Sequence, residues 1–398
     1  MRRYRIGSAF GIPIKIDLTF LLVLPLFAYI IAVQVGLWTD LLNDVWGAGL
    51  DAAVLSTGGV PWLLGGLAAL GLFAGIVMHE LGHSLVAMRY GFPIDSITLW
   101  LFGGIAQLTE MPEDWRQELY IAIMGPVVSI ALGLVSYAGF RAIPAGDALG
   151  IQSARFLLGY LAIMNVALAA FNLLPGFPMD GGRVLRALLA RTRPYPAATR
   201  IAATVGKVFA VLLGILGLFA FNVFLIGIAF FIYLGATGEV QQQVVKSAFQ
   251  GVTVREIMTP ASDLDTVSPE TSVADLLERM FRERHVGYPV VRDGDVVGVV
   301  TLEDVSDVAP VERQVVTVGE VMSTDLRSIP ASTDVVEAMT ALHRNGIGRV
   351  FVTEDGDLVG VLTRTDLVRA FAILGEAGPR APTEGSTTSD PSRVGLHR

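Results

Sequence analysis

The sequence predicts a multi-pass α-helical membrane domain of about six spans with a small membrane-associated β-hairpin, followed by a soluble α+β module. Three observations carry this prediction. Of 398 residues, 53% are hydrophobic and 17% charged, with a mean hydropathy of +0.58; an average soluble domain is about 25% charged. Residues 1–250 hold 15 Lys/Arg against 13 Asp/Glu, whereas residues 251–376 hold 11 against 22, so an apolar body precedes an acidic module. Within that module one pattern occurs twice. Cysteine is absent, which excludes a disulfide scaffold, thiolate metal sites and a cysteine nucleophile. The net charge of −8, with no basic run, argues against a nucleic-acid partner.

A bilayer core takes about 20 apolar residues per helix. Six stretches qualify: 17–38, 61–88, 117–140, 156–174, 201–219 and 221–236. The first is too long for a removable signal peptide, and no small-residue cleavage site follows it cleanly. Arg2, Arg3, Arg5 and Lys15 precede it, which predicts a cytoplasmic N-terminus. The next loop carries Asp40, Asp44 and Asp51 without Lys or Arg, as expected outside. Arg183, Arg186, Arg191, Arg193 and Arg200 mark an inner loop, and Arg141 and Arg155 are exceptions on the outer side. An even number of spans returns the acidic module to the cytoplasm of this cell-membrane protein. Between the second and third spans, residues 92–109 alternate around Gly103-Gly104 and read as a β-hairpin. Such backbone is either an ordinary cytoplasmic hairpin or a shielded element at membrane depth. In the second case its edge could pair with an extended peptide.

The second span ends in His79-Glu80-Leu-Gly-His83. Imidazoles four apart share one helix face and can hold one divalent cation, with Glu80 beside them as general acid/base. Ionisable groups in a spanning helix cost about 2.5–3.5 kcal/mol each, so three in five residues call for a compensating partner. The alternative is a helix end emerging among headgroups before Arg89. Catalytic zinc usually takes three protein ligands. With no cysteine available and His285, His343 and His397 in the soluble part, the third must be a carboxylate. Asp180 is the candidate, in Asn172-Leu-Leu-Pro-Gly-Phe-Pro-Met-Asp180-Gly-Gly182, where proline and glycine break the fourth span. It could equally cap the helix that follows.

These two motifs together resemble the site-2 protease family of intramembrane zinc metalloproteases, over residues 1–240. The resemblance implies that one zinc ion is bound by His79, His83 and Asp180. It implies further that Glu80 is the acid/base, that Asn172 helps hold substrate, and that Gly103 and Gly104 lie in a substrate-binding strand beside the active site. The implied activity is regulated intramembrane proteolysis: cleavage of a membrane-protein partner in or near a transmembrane segment. Two other readings remain open, a membrane transporter or channel and a catalytically inactive binder of the same fold.

In the module, Val254–Met258 matches Val318–Met322, and Asp293–Asp304 matches Asp355–Asp366. Each copy reads helix, strand, Asp-Gly turn, strand, helix. The copies, 253–310 and 316–374, resemble a tandem CBS-domain pair. That resemblance makes Thr301, Asp304, Thr363 and Asp366 candidates for an adenine nucleotide of the ATP or AMP type. The alternative is a ligand-free pair that dimerises, its two aspartates capping helices. Residues 377–398, rich in Gly, Pro, Ser and Thr, read as a disordered tail.

Overall fold

The computed structural model describes residues 3–100, 103–108, 114–324, 326–344, 347–355 and 357–377. The expected tail falls outside this set except for Ala377. Two compact units divide the chain, Met1–Gln243 and Val244–Arg398.

The first unit opens with β1 (Arg3–Ala9) and β2 (Ile12–Asp17), an antiparallel pair whose register closes at Ala9 and Ile12. Phe10 and Gly11 between them have φ of +52° and +83°, the left-handed pair that a two-residue hairpin turn uses. Sequence analysis read this stretch only as a basic flank. Its alternation of Ile12, Ile14 and Ile16 was the available signal. The first expected span is a bent pair, α1 (Phe20–Val33) and α2 (Val35–Trp46), turned by 63° at Gln34. A short α3 (Ala52–Leu55) leads to α4 (Val60–Arg89). The hairpin expected next is β3 (Ile94–Trp100) with β4 (Gly103–Leu108). Because β3 also pairs in parallel with β2, the sheet has four strands in the order β1-β2-β3-β4, and β4 is its last strand.

Helices α5 (Trp115–Ala142), α6 (Leu149–Asn172), α7 (Asp180–Ala190), α8 (Tyr195–Phe219) and α9 (Val223–Phe249) follow. Among the described residues, α4, α5, α6, α8 and α9 are long and apolar enough to cross a bilayer, and the bent pair makes a sixth candidate. Exposed Leu22, Leu134, Val135, Leu212, Phe219 and Phe224 give these helices a lipid-compatible outside. This is a multi-pass membrane protein. Small residues let the helices approach closely. A Cβ on Gly65 would fall against the Ala28 carbonyl, and one on Gly133 would meet Val166.

In the second unit, α10 (Val254–Ile257), β5 (Thr259–Pro260), α11 (Val273–Glu283), β6 (Gly287–Arg292), β7 (Asp295–Thr301) and α12 (Leu302–Ser306) form one pass through the repeat. Then α13 (Val318–Val321), β8 (Ser328–Pro330), α14 (Val335–Arg344), β9 (Arg349–Glu354), β10 (Asp357–Thr363) and α15 (Arg364–Ala377) form the other. Asp293 and Gly294 make the expected tight turn, with φ of +55° and +97°. The two copies exchange their leading turns. Val254 is buried with Val335 and Val352 of the later copy, and Val318 with Val273 and Val290 of the earlier one.

Candidate metal centre

Helix α4 brings His79 and His83 to one face, four residues apart, both nearly fully buried. Helix α5 fixes their rings from the side. His83 Nδ1 donates to the Ile121 carbonyl at 2.7 Å, and His79 Nδ1 lies 2.8 Å from Ser129 Oγ. With the Nδ1 atoms so engaged, both Nε2 atoms face one another, 3.2 Å apart. Asp180 Oδ2 completes the group at 3.1 Å from each.

The loop before α7 places that carboxylate through glycine-to-backbone contacts. A Cβ on Gly181 would strike the Leu174 carbonyl, one on Gly182 would strike Gly176, and Gly176 itself lies against Gly206 of α8. Arg186, further along α7, then holds the helix in place. It pairs with Glu118 of α5 at 2.5 Å and with Glu239 of α9 at 2.5 Å, and its guanidinium covers the rings of Phe177 and Tyr195. Arg186 and Glu118 are both almost fully buried, so the pair persists only while each satisfies the other.

Two imidazole lone pairs and a carboxylate oxygen within 3.2 Å repel one another unless a cation or protons intervene. Zinc bonds of about 2.0–2.1 Å at tetrahedral angles would set ligand atoms about 3.3 Å apart. The donor set and its spacing therefore fit zinc. Each imidazole also has the outer hydrogen bond that orients a metal ligand.

Gly125 is the floor of the site. A Cβ there would stand 2.1 Å from His83 Nε2 and 2.6 Å from His79 Nε2. Gly125→Ala is accordingly expected to improve helix propensity yet abolish metal binding. Zinc analysis of the purified variant checks this, and a full zinc complement would contradict it. Ile121, Gly125 and Ser129 recur every four residues along one face of α5. Sequence analysis missed them because a carbonyl, a hydrogen and one hydroxyl carry no motif.

Glu80, next to His79, packs against β4. A Cβ on Gly104 would meet its Cγ at 2.7 Å. Gly103 pairs with Trp100 at the hairpin end. Asn172 closes α6, and its amide donates to the Leu168 carbonyl at 3.0 Å. The repeat candidates form matching helix starts. Asp304 accepts from Thr301 N and Oγ1, both at 2.7 Å, and Asp366 accepts from Thr363 N at 2.9 Å and Oγ1 at 2.7 Å. Here the threonine is the N-cap and the aspartate closes the box from the first turn. A second group of acidic and imidazole side chains, Asp265, Glu283 and His285, lies in the second unit. There Arg279 already pairs with Glu283 at 2.9 Å.

Apolar spanning helices, with two buried histidines meeting a partly buried aspartate, fit a membrane-embedded zinc metalloprotease of the site-2 type. The chain belongs to peptidase family M50: that family's model matches residues 67–216, and the CBS domain model matches 254–310 and 318–373. Zinc metalloprotease MJ0392 of Methanocaldococcus jannaschii is 34% identical over 371 residues, covering 93% of this chain and 96% of that protein. Rip3 of Mycobacterium tuberculosis is 35% identical over 361 residues, covering 85% and 89%. The solved site-2 protease from M. jannaschii covers 60% of this chain and 95% of its own at 33% identity, with a TM-score of 0.41.

Proposed function

We propose that this protein hydrolyses a peptide bond in or near a transmembrane segment of a membrane-protein substrate, with His79, His83 and Asp180 holding zinc and Glu80 moving the proton. The observation that carries this reading is the meeting of three ligand atoms within 3.2 Å, with Glu80, the neighbour of His79, packed against β4 at Gly104. When bound, zinc supplies a Lewis acid that brings the pKa of a coordinated water to about 7. Glu80 takes the proton of the attacking water and delivers it to the leaving amine nitrogen. A helical substrate hides its carbonyls in its own hydrogen bonds, so the segment to be cut must unwind. Pairing with β4, the last strand of its sheet, replaces the lost bonds, and Asn172 at the end of α6 steadies the unwound chain. The N-terminus and the repeats lie in the cytoplasm, and water enters from that side.

The test is cleavage of a doubly labelled single-span reporter reconstituted with the protein in liposomes. Treatment with 1,10-phenanthroline is expected to stop cleavage, and added zinc to restore it. Cleavage that persists in protein shown to be metal-free would overturn the proposal.

For the soluble unit we propose an adenine nucleotide as regulatory ligand, its ribose hydroxyls at Asp304 and Asp366 and its phosphates near Thr301 and Thr363. The support is the paired placement of these residues at equivalent helix starts. Calorimetric titration of the full chain with AMP and with ATP should show saturable binding that Asp304→Ala weakens at least tenfold. Absence of heat with both nucleotides would leave the pair a ligand-free dimerisation module.

A further inference from the structure

Among the described residues of the membrane unit, three arginines are wholly or partly withdrawn from solvent, and two of them have protein partners. Arg186 is held by Glu118 and Glu239. Arg155 donates to the carbonyls of Ala48, Phe140 and Ile143. The third, Arg183, is half-buried yet makes no hydrogen bond or ion pair with any described residue. It sits in the first turn of α7, where the helix dipole disfavours positive charge. It lies one turn from Asp180 on neighbouring ground of the same helix face. A guanidinium carried one turn from Asp180, with its donors uncommitted among the described residues, is available to a substrate group that reaches the site.

We propose that Arg183 is a catalytic residue that binds the carbonyl oxygen of the scissile peptide bond as negative charge develops on it. The inference rests on the proteolytic reading given above. In the step, the water oxygen bonds to the carbonyl carbon, the carbon–nitrogen bond breaks, and the proton passes through Glu80 to the amine. Arg183 keeps all its protons throughout, as a guanidinium does. After cleavage the same planar fork matches the new carboxylate.

Removing one donor to a developing oxyanion costs about 10²–10³-fold in kcat. With the liposome reporter, Arg183→Gln is therefore expected to lose about 10²-fold in kcat, with KM within threefold and zinc content unchanged. Arg183→Ala should recover activity at least tenfold in millimolar guanidinium chloride, a response that a structural role would not give. In a readout independent of turnover, a phosphinic Leu–Leu peptide, whose anionic tetrahedral phosphorus imitates the reacting carbon, should bind the zinc-loaded Arg183→Gln protein at least tenfold more weakly than wild type. Unchanged kcat in Arg183→Gln, or a loss explained by missing zinc, would overturn the assignment. Failure of the underlying proteolytic reading looks different: wild type itself would not cleave, or Glu80→Gln would cleave as well as wild type.

Discussion

Asp180→Ala is expected to strip the metal from the purified protein and take cleavage to background. Two imidazoles four apart on one helix offer a divalent cation only two bonds, and the third comes from another helix altogether. Altering mere outer-shell partners of metal ligands costs about 10–100-fold in affinity, so loss of a ligand must cost more. The structural damage should be small. Asp180 is only partly buried and touches the two histidines rather than a hydrophobic core. The loop that carries it is held by glycine contacts with Gly206 and by the Arg186 pair to Glu118, neither of which the substitution removes. Zinc per chain, set beside a thermal unfolding curve in detergent, separates these effects. A near-stoichiometric zinc content in a folded Asp180→Ala protein would mean that another group completes the site.

Glu80→Gln is expected to give the opposite pairing of results. The amide keeps the shape of the side chain against Ile76 and Gly104, and it leaves all three ligand atoms in place, so zinc content and folding should match wild type. What it loses is the ability to carry a proton. General acid–base groups contribute about 10²–10⁴-fold to rate, and here one group serves both the attack and the departure of the amine. Reporter cleavage should fall by at least 10³-fold. Cleavage within tenfold of wild type would remove Glu80 from the proton path.

Much of this was legible in the residues. The spans appear as apolar runs because lipid tolerates no other sequence, and the His79/His83 spacing reads as chemistry because ionisable groups at that depth need a reason. Elimination reached only a carboxylate, there being no cysteine and no further histidine in the membrane half; the proline and glycine break around Asp180 and the family resemblance singled that residue out. The bend at Gln34 was hidden because hydropathy averages over a kink; the helix breaks there without Pro or Gly at the junction. The parallel pairing of β2 with β3 joins segments about 80 residues apart, and no local pattern encodes such a partner. The surroundings of the site were the least visible. Ser129 and the Ile121 carbonyl orient the imidazoles, Gly125 leaves space for the ion, and Arg186 clamps α7. Each acts through position in the packed structure, and a lone serine, glycine or arginine in a sequence has no signature of that. In the repeats, Asp304 and Asp366 were foreseen as helix caps or, with Thr301 and Thr363, as nucleotide contacts. The structure gives the capping role to the threonine, with the aspartate answering it from the first turn.

The central claim is that two segments about 100 residues apart close on one ion, and zinc K-edge absorption fine structure of the purified full-length protein tests it most directly. The account predicts first-shell scattering from nitrogen and oxygen at about 2.0–2.1 Å, with the outer-shell signature of two imidazoles that falls to one in His83→Ala. A shell with no imidazole scattering, or one unchanged when His79, His83 and Asp180 are each replaced, would contradict it.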